Sequence, residues 1–333
     1  MLGVGRTTNS AGTKRPAGRL PGGRHPAPWR LLAVLVLLGA GVHAWPDTAA
    51  ASPAAPPPVD VDVSPLTREL DVLLGNEPGV YGVVVMTPDG ETLYSRNRDV
   101  PFVAASLFKL AVMATVFERE ADQDLSRDEP LPGWGTIADA LFAMIVHSDN
   151  GSASVLIERV GGITAVNETA ERLGLDHTRL NADAGWLDDV PNDPHRDSTK
   201  ESIQQGKDFV AATAGDAAVD VTTPDDTARF FRLLMAGQVV NADASKAMLE
   251  LLSQQEITDR LPVLLPPDTV VAHKTGNLPN VIHDAGIIAT PAGELIVAAL
   301  TEAMPAEGRA FEVIQQLALI VYDNAEPQPR WEN

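Results

Sequence analysis

The last third of the chain holds the pattern that most limits how this protein can fold. Three short segments rich in β-branched and other apolar residues follow one another there, and the turn sequence Pro291-Ala292-Gly293 separates the last two. These segments are Val270 to Gly276, Ala285 to Ala289 and Leu295 to Thr301. Because strands joined by tight turns pair antiparallel, the pattern predicts an antiparallel sheet. The helix predicted from Glu307 to about Tyr322 can then pack on one face of that sheet.

The beginning of the folded body adds a helix and two more strands. A cap serine, followed by a proline at the first helical position, predicts a helix from Ser64 to Gly75. Val80 to Met86 and Glu91 to Ser95 flank the turn sequence Pro88-Asp89-Gly90, which predicts a hairpin. The middle of the chain has helical patterns only. The predicted class is therefore α+β: an α/β/α sandwich, in which helices flank an antiparallel sheet, plus an all-helical lobe.

The predicted elements also give domain boundaries. The folded domain is expected at 64–325, with a sheet lobe at about 64–105 and 262–325, a helical lobe at about 106–261, and a tail at 326–333. A chain of 333 residues is long enough for two lobes that share a core. We expect the lobes to meet near Ser106 and the protein to be a monomer.

The first 44 residues resemble an export signal. Basic residues precede the apolar run Leu31 to Val42, and Val42-His43-Ala44 satisfies the small-residue rule for cleavage. If the segment is not cleaved, residues 31–45 would tether the protein to a membrane. Residues 45–63 are rich in alanine and proline, which indicates an extended linker. Either way the protein is expected to be exported and to act in the extracellular space, the periplasm or the cell envelope.

Charge and cysteine content exclude several classes of function. The net charge is -20, and residues 1–44 hold six basic residues and no acidic ones, which leaves 19 basic against 45 acidic residues for the rest. The excess of acidic residues after residue 44 argues against binding to nucleic acid or to anionic lipid. The absence of cysteine excludes thiolate metal sites, and the histidines show no ligand spacing, so we expect no metal and no cofactor. The histidines in question are His147, His177, His195, His273 and His283.

Ser106 and Lys109 form the first candidate catalytic pair. The two residues lie on the first turn of a helix that is predicted to reach about Glu118. Because they are three residues apart, they share a face of this helix, and the lysine amine can reach the serine hydroxyl. The amine acts as a base only if burial or neighbouring cations lower its pKa. The helix is apolar nearly all round, which predicts a buried, central position. Alone, the spacing fits a helix start with a solvated lysine equally well.

Two further polar clusters stand at the ends of predicted apolar elements. Ser148-Asp149-Asn150 follows the helix predicted from Thr136 to Val146, and either caps the next helix or supplies side chains to a pocket. Lys274-Thr275-Gly276 ends the first of the three C-terminal strands. His273 precedes it and would point away from Lys274, which favours a structural role.

Together, the three motifs resemble those of a known family. Ser106-x-x-Lys109, Ser148-Asp149-Asn150 and Lys274-Thr275-Gly276, in this order, are similar to the motifs of serine β-lactamases and penicillin-binding D,D-peptidases, most closely class A β-lactamases. The resemblance covers roughly residues 60 to 325. It implies an acyl-enzyme mechanism acting on β-lactams or on D-Ala-D-Ala peptides, without a cofactor.

The resemblance also implies a role for each residue of the first two motifs. Ser106 would attack an amide carbonyl, and Lys109 would take its proton directly or through water. Ser148 would relay a proton to the leaving nitrogen, and Asn150 would hydrogen-bond to the substrate amide. A second lysine nearby, Lys274, would discourage Lys109 from protonating.

The third motif would bind the rest of the substrate. Lys274 and Thr275 would hold the substrate carboxylate, and the backbone N–H of Asn277, just after Gly276, would complete the oxyanion hole with that of the nucleophile. The arginine that class A enzymes place on the next strand is missing. Arg260 aligns with a position from which some relatives supply that guanidinium instead.

One region departs from the family pattern. Class A enzymes carry an Ω-loop glutamate that activates the water for deacylation, and the matching position here is Ala184. The nearby carboxylates, Asp183 and Asp188, either substitute for it or are solvated loop acids. The chain also has an insertion at 200–221, which could cover the pocket or bind a partner.

Three hypotheses follow for the function. The leading one is a class A β-lactamase or a close relative with an atypical Ω-loop. The second is a D,D-carboxypeptidase or esterase of the same fold. The third is a penicillin-binding or cell-wall-sensing module that is acylated without turnover.

Overall fold

Eight α-helices, one short 3₁₀ helix and nine strands lie in the part of the chain that the structure, a computed structural model, describes: residues 64–181, 220–304 and 306–325. The helices are α1 (Pro65–Gly75), α2 (Lys109–Ala121), α3 (Ile137–Val146), α4 (Asn150–Val160), α5 (Gly162–Arg172), α6 (Pro224–Met235), α7 (Ala242–Leu252) and α8 (Glu307–Asp323). The strands are β1 (Val80–Met86), β2 (Thr92–Arg96), β3 (Phe102–Val103), β4 (Pro130–Leu131), β5 (Gly135–Thr136), β6 (Val221–Thr222), β7 (Val271–Leu278), β8 (Val281–Thr290) and β9 (Gly293–Glu302). The predicted signal or anchor, the linker and the tail at 326–333 lie outside the described residues.

Five of the strands form one antiparallel sheet in the order β2-β1-β9-β8-β7. The predicted hairpin and the three C-terminal strands are confirmed. Strand β8, however, begins at Val281 rather than at the predicted Ala285. His283 and Asp284 interrupt the apolar pattern there, but both are buried and hydrogen-bonded, so the strand continues through them.

Helices cover both faces of the sheet, which confirms the α+β class and the α/β/α sandwich. In β1, Val83 and Val85 point to the face covered by α1 and α8, whereas Val84 points to the opposite face. Such alternation is the period of a strand buried on both sides. Helix α6 covers the opposite face, where Phe230 and Phe231 are buried, although it lies in the range expected for the helical lobe.

Most of the other helices surround α2. Every residue from Lys109 to Phe117 is buried, and α2 contacts α3, α4, α5 and α7, so the predicted central helix is confirmed. Helix α3 begins with a capping box formed by Thr136 and Asp139. Within the described ranges, no helix combines the length and the apolar character needed to cross a membrane.

Candidate active site

Ser106 lies in a tight turn between β3 and α2. Residues Ala105–Phe108 form a 3₁₀ turn and α2 begins only at Lys109, whereas the sequence predicted an α-helix that opens at Ser106. The difference arises at Ala105, whose φ of 43° is in the left-handed region and turns the chain sharply. This conformation costs an alanine about 1–2 kcal/mol, so contacts around the turn must maintain it. Within the turn, only Ser106 is partly exposed.

Lys109, three residues further on, is completely buried. Its Nζ donates to the carbonyl oxygen of Ser148 at 2.6 Å and to Oδ1 of Asn150 at 2.7 Å. Burial lowers the pKa of Lys109 from 10.5 to about 7, against an opposing effect of Asp149. The predicted lowering of the pKa is confirmed, but its cause is burial rather than the neighbouring Lys274.

The contacts of Lys109 leave its lone pair available when the amine is neutral. A neutral amine has two N–H donors, and the two shortest contacts occupy both. The hydroxyl of Ser148 is further away, 3.3 Å from Nζ. The hydroxyl of Ser106, the partner predicted from the sequence, makes no hydrogen bond to any other described residue. The nucleophile is therefore not engaged by its base in this structure.

Ser148 joins the three motifs. It lies between α3 and α4 in the left-handed region, with a φ of 58°, and its Oγ accepts a hydrogen bond from Nζ of Lys274 at 2.9 Å. The next residue, Asp149, caps α4 by accepting from the N–H of Ser152 at 2.6 Å. The capping interpretation is therefore correct for Asp149, whereas the side chains of Ser148 and Asn150 contact the buried Lys109.

Lys274 is completely buried on β7, with its Nζ bonded to Ser148 and, at 3.0 Å, to the carbonyl oxygen of Thr275. Burial lowers its pKa well below the usual value, and the charges of Lys109 and Arg260 lower it further, against an opposing effect of Asp284. A carboxylate that entered this site would find buried amines whose charge it could stabilise.

Gly276 allows β7 to lie against the nucleophile turn. A Cβ at this position would be 3.2 Å from the Cβ of Ala105 and 3.2 Å from the Cβ of His283, closer than ordinary contact. A side chain here would force the strand and the turn apart. Ala105 and Gly276 thus approach one another closely, and the residues that follow them are Ser106 and Asn277. The N–H groups of Ser106 and Asn277 therefore lie on opposite sides of this close contact.

The N–H of Asn277 is not used in the sheet. Ile282 is its partner in β8, but the N–H and carbonyl groups of Ile282 both bond to the hydroxyl of Thr301 on β9. In an antiparallel pair, residues whose backbone groups point away from one another alternate with hydrogen-bonded ones. The N–H of Asn277 therefore faces the open edge of the sheet, as the predicted oxyanion hole requires.

Arg260 lies beside β7, where it can act on this site. The side chain is buried, its guanidinium is stacked 4.7 Å from the ring centre of Phe311, and Nη2 donates to Oδ1 of Asn277 at 2.9 Å. A second nitrogen lies 3.6 Å from Asp259. The arginine predicted to bind a substrate carboxylate is thus bonded to the residue that follows the Lys-Thr-Gly motif.

Asp284 is a buried residue that the sequence analysis missed. Its carboxylate accepts from the N–H of Leu261 at 3.1 Å and lies 2.8 Å from Nδ1 of His273, whose structural role and direction agree with the prediction. Asp284 pairs with Thr275, so these side chains share the face opposite Lys274. An acid within an apolar strand pattern was the available signal. Within the described ranges, no group of three or more potential metal ligands occurs.

The predicted deacylation residues, Asp183 and Asp188, lie outside the described residues. Asn181 and Asp220 are the described residues on either side of the segment that holds these two acids. They contact one another, because the N–H of Asn181 donates to the carboxylate of Asp220 at 2.8 Å. The carbonyl of Asp220 in turn accepts from the N–H of Ala104, two residues before the nucleophile. Of the predicted insertion at 200–221, only Asp220 and Val221 are among the described residues, and Val221 is in β6, paired with β3.

This chain is similar to known proteins over most of its length. Residues 65–325 match the model of the β-lactamase enzyme family. A β-lactamase of Bacteroides uniformis is 24% identical over 294 residues, which cover 78% of this chain and 91% of the relative.

Two solved structures show the same fold. A β-lactamase from Sphaerobacter thermophilus is 25% identical with a TM-score of 0.64, covering 81% of this chain and 99% of that one. A PBP-A mutant, solved as an acyl-enzyme complex with penicillin G, is 22% identical with a TM-score of 0.61, covering 78% and 95%. Since the family model spans most of the chain and the three motifs converge on Ser148, this protein belongs to the β-lactamase enzyme family.

Proposed function

We propose that this protein is a serine hydrolase, related to class A β-lactamases, that forms an acyl-enzyme at Ser106 with β-lactam-type amides. The observation that carries the proposal is the buried Lys109, whose pKa of about 7 allows it to act as a base at neutral pH. Its connection to Lys274 through Ser148 supports this chemistry. The family match and the penicillin G complex of the PBP-A mutant are consistent with it.

Acylation begins at the hydroxyl of Ser106. Its Oγ attacks the amide carbonyl while the lone pair of Lys109 accepts the proton, directly or through a water molecule. The carbonyl oxygen becomes an oxyanion, which the N–H groups of Ser106 and Asn277 stabilise. Lys109 is then protonated, with Ser148 and Asn150 as its hydrogen-bond partners.

Ser148 completes acylation by protonating the leaving nitrogen. As the C–N bond breaks, the hydroxyl proton of Ser148 moves to the nitrogen, and Lys109 returns a proton to Ser148. The hydrogen bond from Nζ of Lys274 stabilises negative charge on Oγ during this transfer. The step ends with an ester at Ser106 and a neutral Lys109.

The two buried amines favour a substrate that carries a carboxylate, because an anion nearby stabilises their protonated form. Neither Lys109 nor Lys274 forms an ion pair with a carboxylate among the described residues, so an entering anion would supply the missing counter-charge. The family resemblance assigns its binding to Lys274, Thr275 and Arg260, of which Lys274 alone lies on the face towards Lys109. Asn150 would bind the substrate amide while it holds Lys109.

Release of the acyl group is the step at which this chain differs from class A enzymes. Ala184 takes the position of the glutamate, so we propose that Asp183 or Asp188 activates the water. The missing glutamate favours a second candidate, in which the acyl group stays on Ser106. The protein would then be a penicillin-binding or cell-wall-sensing module, or a D,D-carboxypeptidase that β-lactams inhibit.

One experiment separates these candidates. The purified protein is mixed with a fluorescent penicillin and, in parallel, with a chromogenic cephalosporin. Transient label with cephalosporin hydrolysis supports the β-lactamase, whereas persistent label without hydrolysis supports the penicillin-binding module. Absence of label contradicts every acyl-enzyme mechanism. Ser106→Ala should abolish the label, and Asp183→Asn and Asp188→Asn should show which acid turnover requires.

We also propose that the protein is exported. The basic start, the apolar run Leu31 to Val42 and the cleavage sequence that ends at Ala44 support export. Mass spectrometry of the protein from fractionated cells would give its N-terminus. An N-terminus at Trp45 in the extracellular or periplasmic fraction indicates cleavage, an intact chain in membranes indicates a tether, and an intact cytoplasmic chain contradicts export.

A further inference from the structure

A buried histidine lies directly behind the nucleophile turn. The Nδ1 of His283 accepts the N–H of Thr301 at 3.1 Å, so the ring proton must be on Nε2. That Nε2 donates to the carbonyl oxygen of Val103 at 2.8 Å, three residues before Ser106. The ring therefore connects β9, in the middle of the sheet, to the strand that leads into the nucleophile.

The same ring also contacts the strand that supplies the other half of the oxyanion hole. His283 is the partner of Gly276 in β8, and a Cβ on that glycine would be 3.2 Å from Cδ2 of the ring. It would be equally close to the Cβ of Ala105. His283 thus touches Gly276, next to Asn277, and holds Val103, near Ser106.

We propose that His283 is a positioning residue that sets the separation between the two N–H groups of the oxyanion hole, those of Ser106 and Asn277. The inference rests on the proposed function, because it assumes that an acyl oxyanion forms at Ser106. The sheet provides a rigid support for this role, since His283 is completely buried and hydrogen-bonded at both nitrogens.

The conformation of the turn explains why such support is needed. Ala105 is held at a φ of 43°, and a strained residue persists only where its surroundings fix it. Both backbone groups of Val103 are bonded to side chains from the sheet, the carbonyl to His283 and the N–H to the carboxylate of Glu302. Burial lowers the pKa of His283 to about 4, which keeps the ring neutral and its Nδ1 able to accept.

Two substitutions separate the two hydrogen bonds of the ring. In His283→Gln the amide nitrogen can occupy the position of Nε2 and still donate to Val103, while the bond from Thr301 is lost. In His283→Asn the amide oxygen can occupy the position of Nδ1 and still accept from Thr301, while the bond to Val103 is lost. Each variant loses one buried hydrogen bond, so similar losses of folding stability are expected.

The acylation rate with penicillin and the infrared frequency of the acyl-ester carbonyl are measured for wild type and both variants. Removal of an oxyanion-hole donor costs about 10²–10³-fold in rate, and displacement of a retained donor should cost less. We expect His283→Asn to acylate at least about tenfold more slowly, with unchanged non-covalent affinity and a carbonyl band shifted to higher frequency. His283→Gln should stay within about threefold of wild type in rate and keep the wild-type band.

Other outcomes overturn the inference. A His283→Asn variant with the rate and carbonyl band of the wild type would show that the ring does not position the oxyanion hole. A purely structural role would give both variants equal losses in acylation rate, matched by equal decreases in melting temperature and without a shift of the carbonyl band. If the wild type itself is not acylated, the proposed function is wrong and the inference is wrong with it. If the wild type is acylated, the proposed function stands and the two variants test the inference separately.

Discussion

Strand β7 separates two groups of buried ionisable side chains that have different partners. On the face towards α2, Lys274 and Lys109 contact hydroxyl, carbonyl and amide groups and form no ion pair with a carboxylate in the described ranges. On the face towards α8, His273 lies against the carboxylate of Asp284, which also accepts the N–H of Leu261.

One strand therefore supports both catalysis and stability, each through a different face. Burial without a carboxylate partner favours the neutral amine, and only a neutral amine can accept the proton of a serine. A carboxylate with two buried donors instead holds together the strands and the loop that supply them. Substitutions on the first face should therefore mainly change the reaction, and substitutions on the second face should mainly change the free energy of unfolding.

The largest effect is expected for Lys109→Met. Methionine has a similar length but no amine, so the rate of acylation should fall by about 10³-fold, within the range for loss of a general base. The variant should remain folded, because the change also removes an amine whose burial lowers its pKa to about 7. Labelling with a fluorescent penicillin gives the rate, and a thermal melt checks the fold. Lys246→Met, at an exposed lysine, is the control and should change neither. A loss smaller than tenfold would refute the role of Lys109 as the base.

Asp284→Ala should give the opposite result, a large loss of stability. The substitution removes the acceptor of Leu261 N–H and the partner of His273 Nδ1, and breaking a buried pair costs about 3–5 kcal/mol. Denaturant unfolding measures this loss. The control is Asp259→Ala, since that carboxylate is half exposed beside Arg260 and should contribute about 1 kcal/mol or less. Equal losses in the two variants would contradict the comparison between the faces.

A third test uses His283, which lies on the catalytic face. Its pKa is about 4 in the folded protein against 6.5 for the free side chain, so between these values the unfolded chain binds more protons. Its contribution to stability is complete above pH 6.5 and is lost as the pH falls towards 4, by about 3 kcal/mol in total. Unfolding experiments across this range should show a smaller decrease for His283→Gln than for the wild type. Identical decreases would show that the residue does not titrate as described.

The smallest effect concerns the pH dependence of acylation. Because Lys109 must be neutral and its pKa is about 7, the acylation rate should rise by about tenfold from pH 6 to pH 8 and then level off. Rates of penicillin labelling at low concentration give this profile. A rate that is constant from pH 5 to pH 9 would mean that another group accepts the proton.

The motifs and most elements could be predicted from the sequence because each depends on local spacing. The pair Ser106 and Lys109, the turn at Ser148 and the strand with Lys274 are each specified by a few adjacent residues and by the apolar pattern that precedes them. That these three motifs come together in one site was predicted from the family resemblance, because no local pattern specifies contacts between distant segments.

The features that the sequence did not predict depend on contacts between distant segments. The left-handed conformation of Ala105 replaces the expected first turn of the helix, because the chain must turn between β3 and α2. The early start of β8 could not be foreseen, since His283 and Asp284 are acceptable in a buried strand only with partners from other strands and loops. The bond between Arg260 and Asn277 likewise joins a loop to a strand edge.

The most direct test of the central claim is to locate the acyl group by mass spectrometry. The purified protein is exposed briefly to penicillin, quenched with acid and digested. One added penicillin mass is expected on the peptide that contains Ser106, and no adduct is expected in Ser106→Ala or, on the same timescale, in Lys109→Met. An adduct on another residue, or none in the wild type at neutral pH, would contradict this claim.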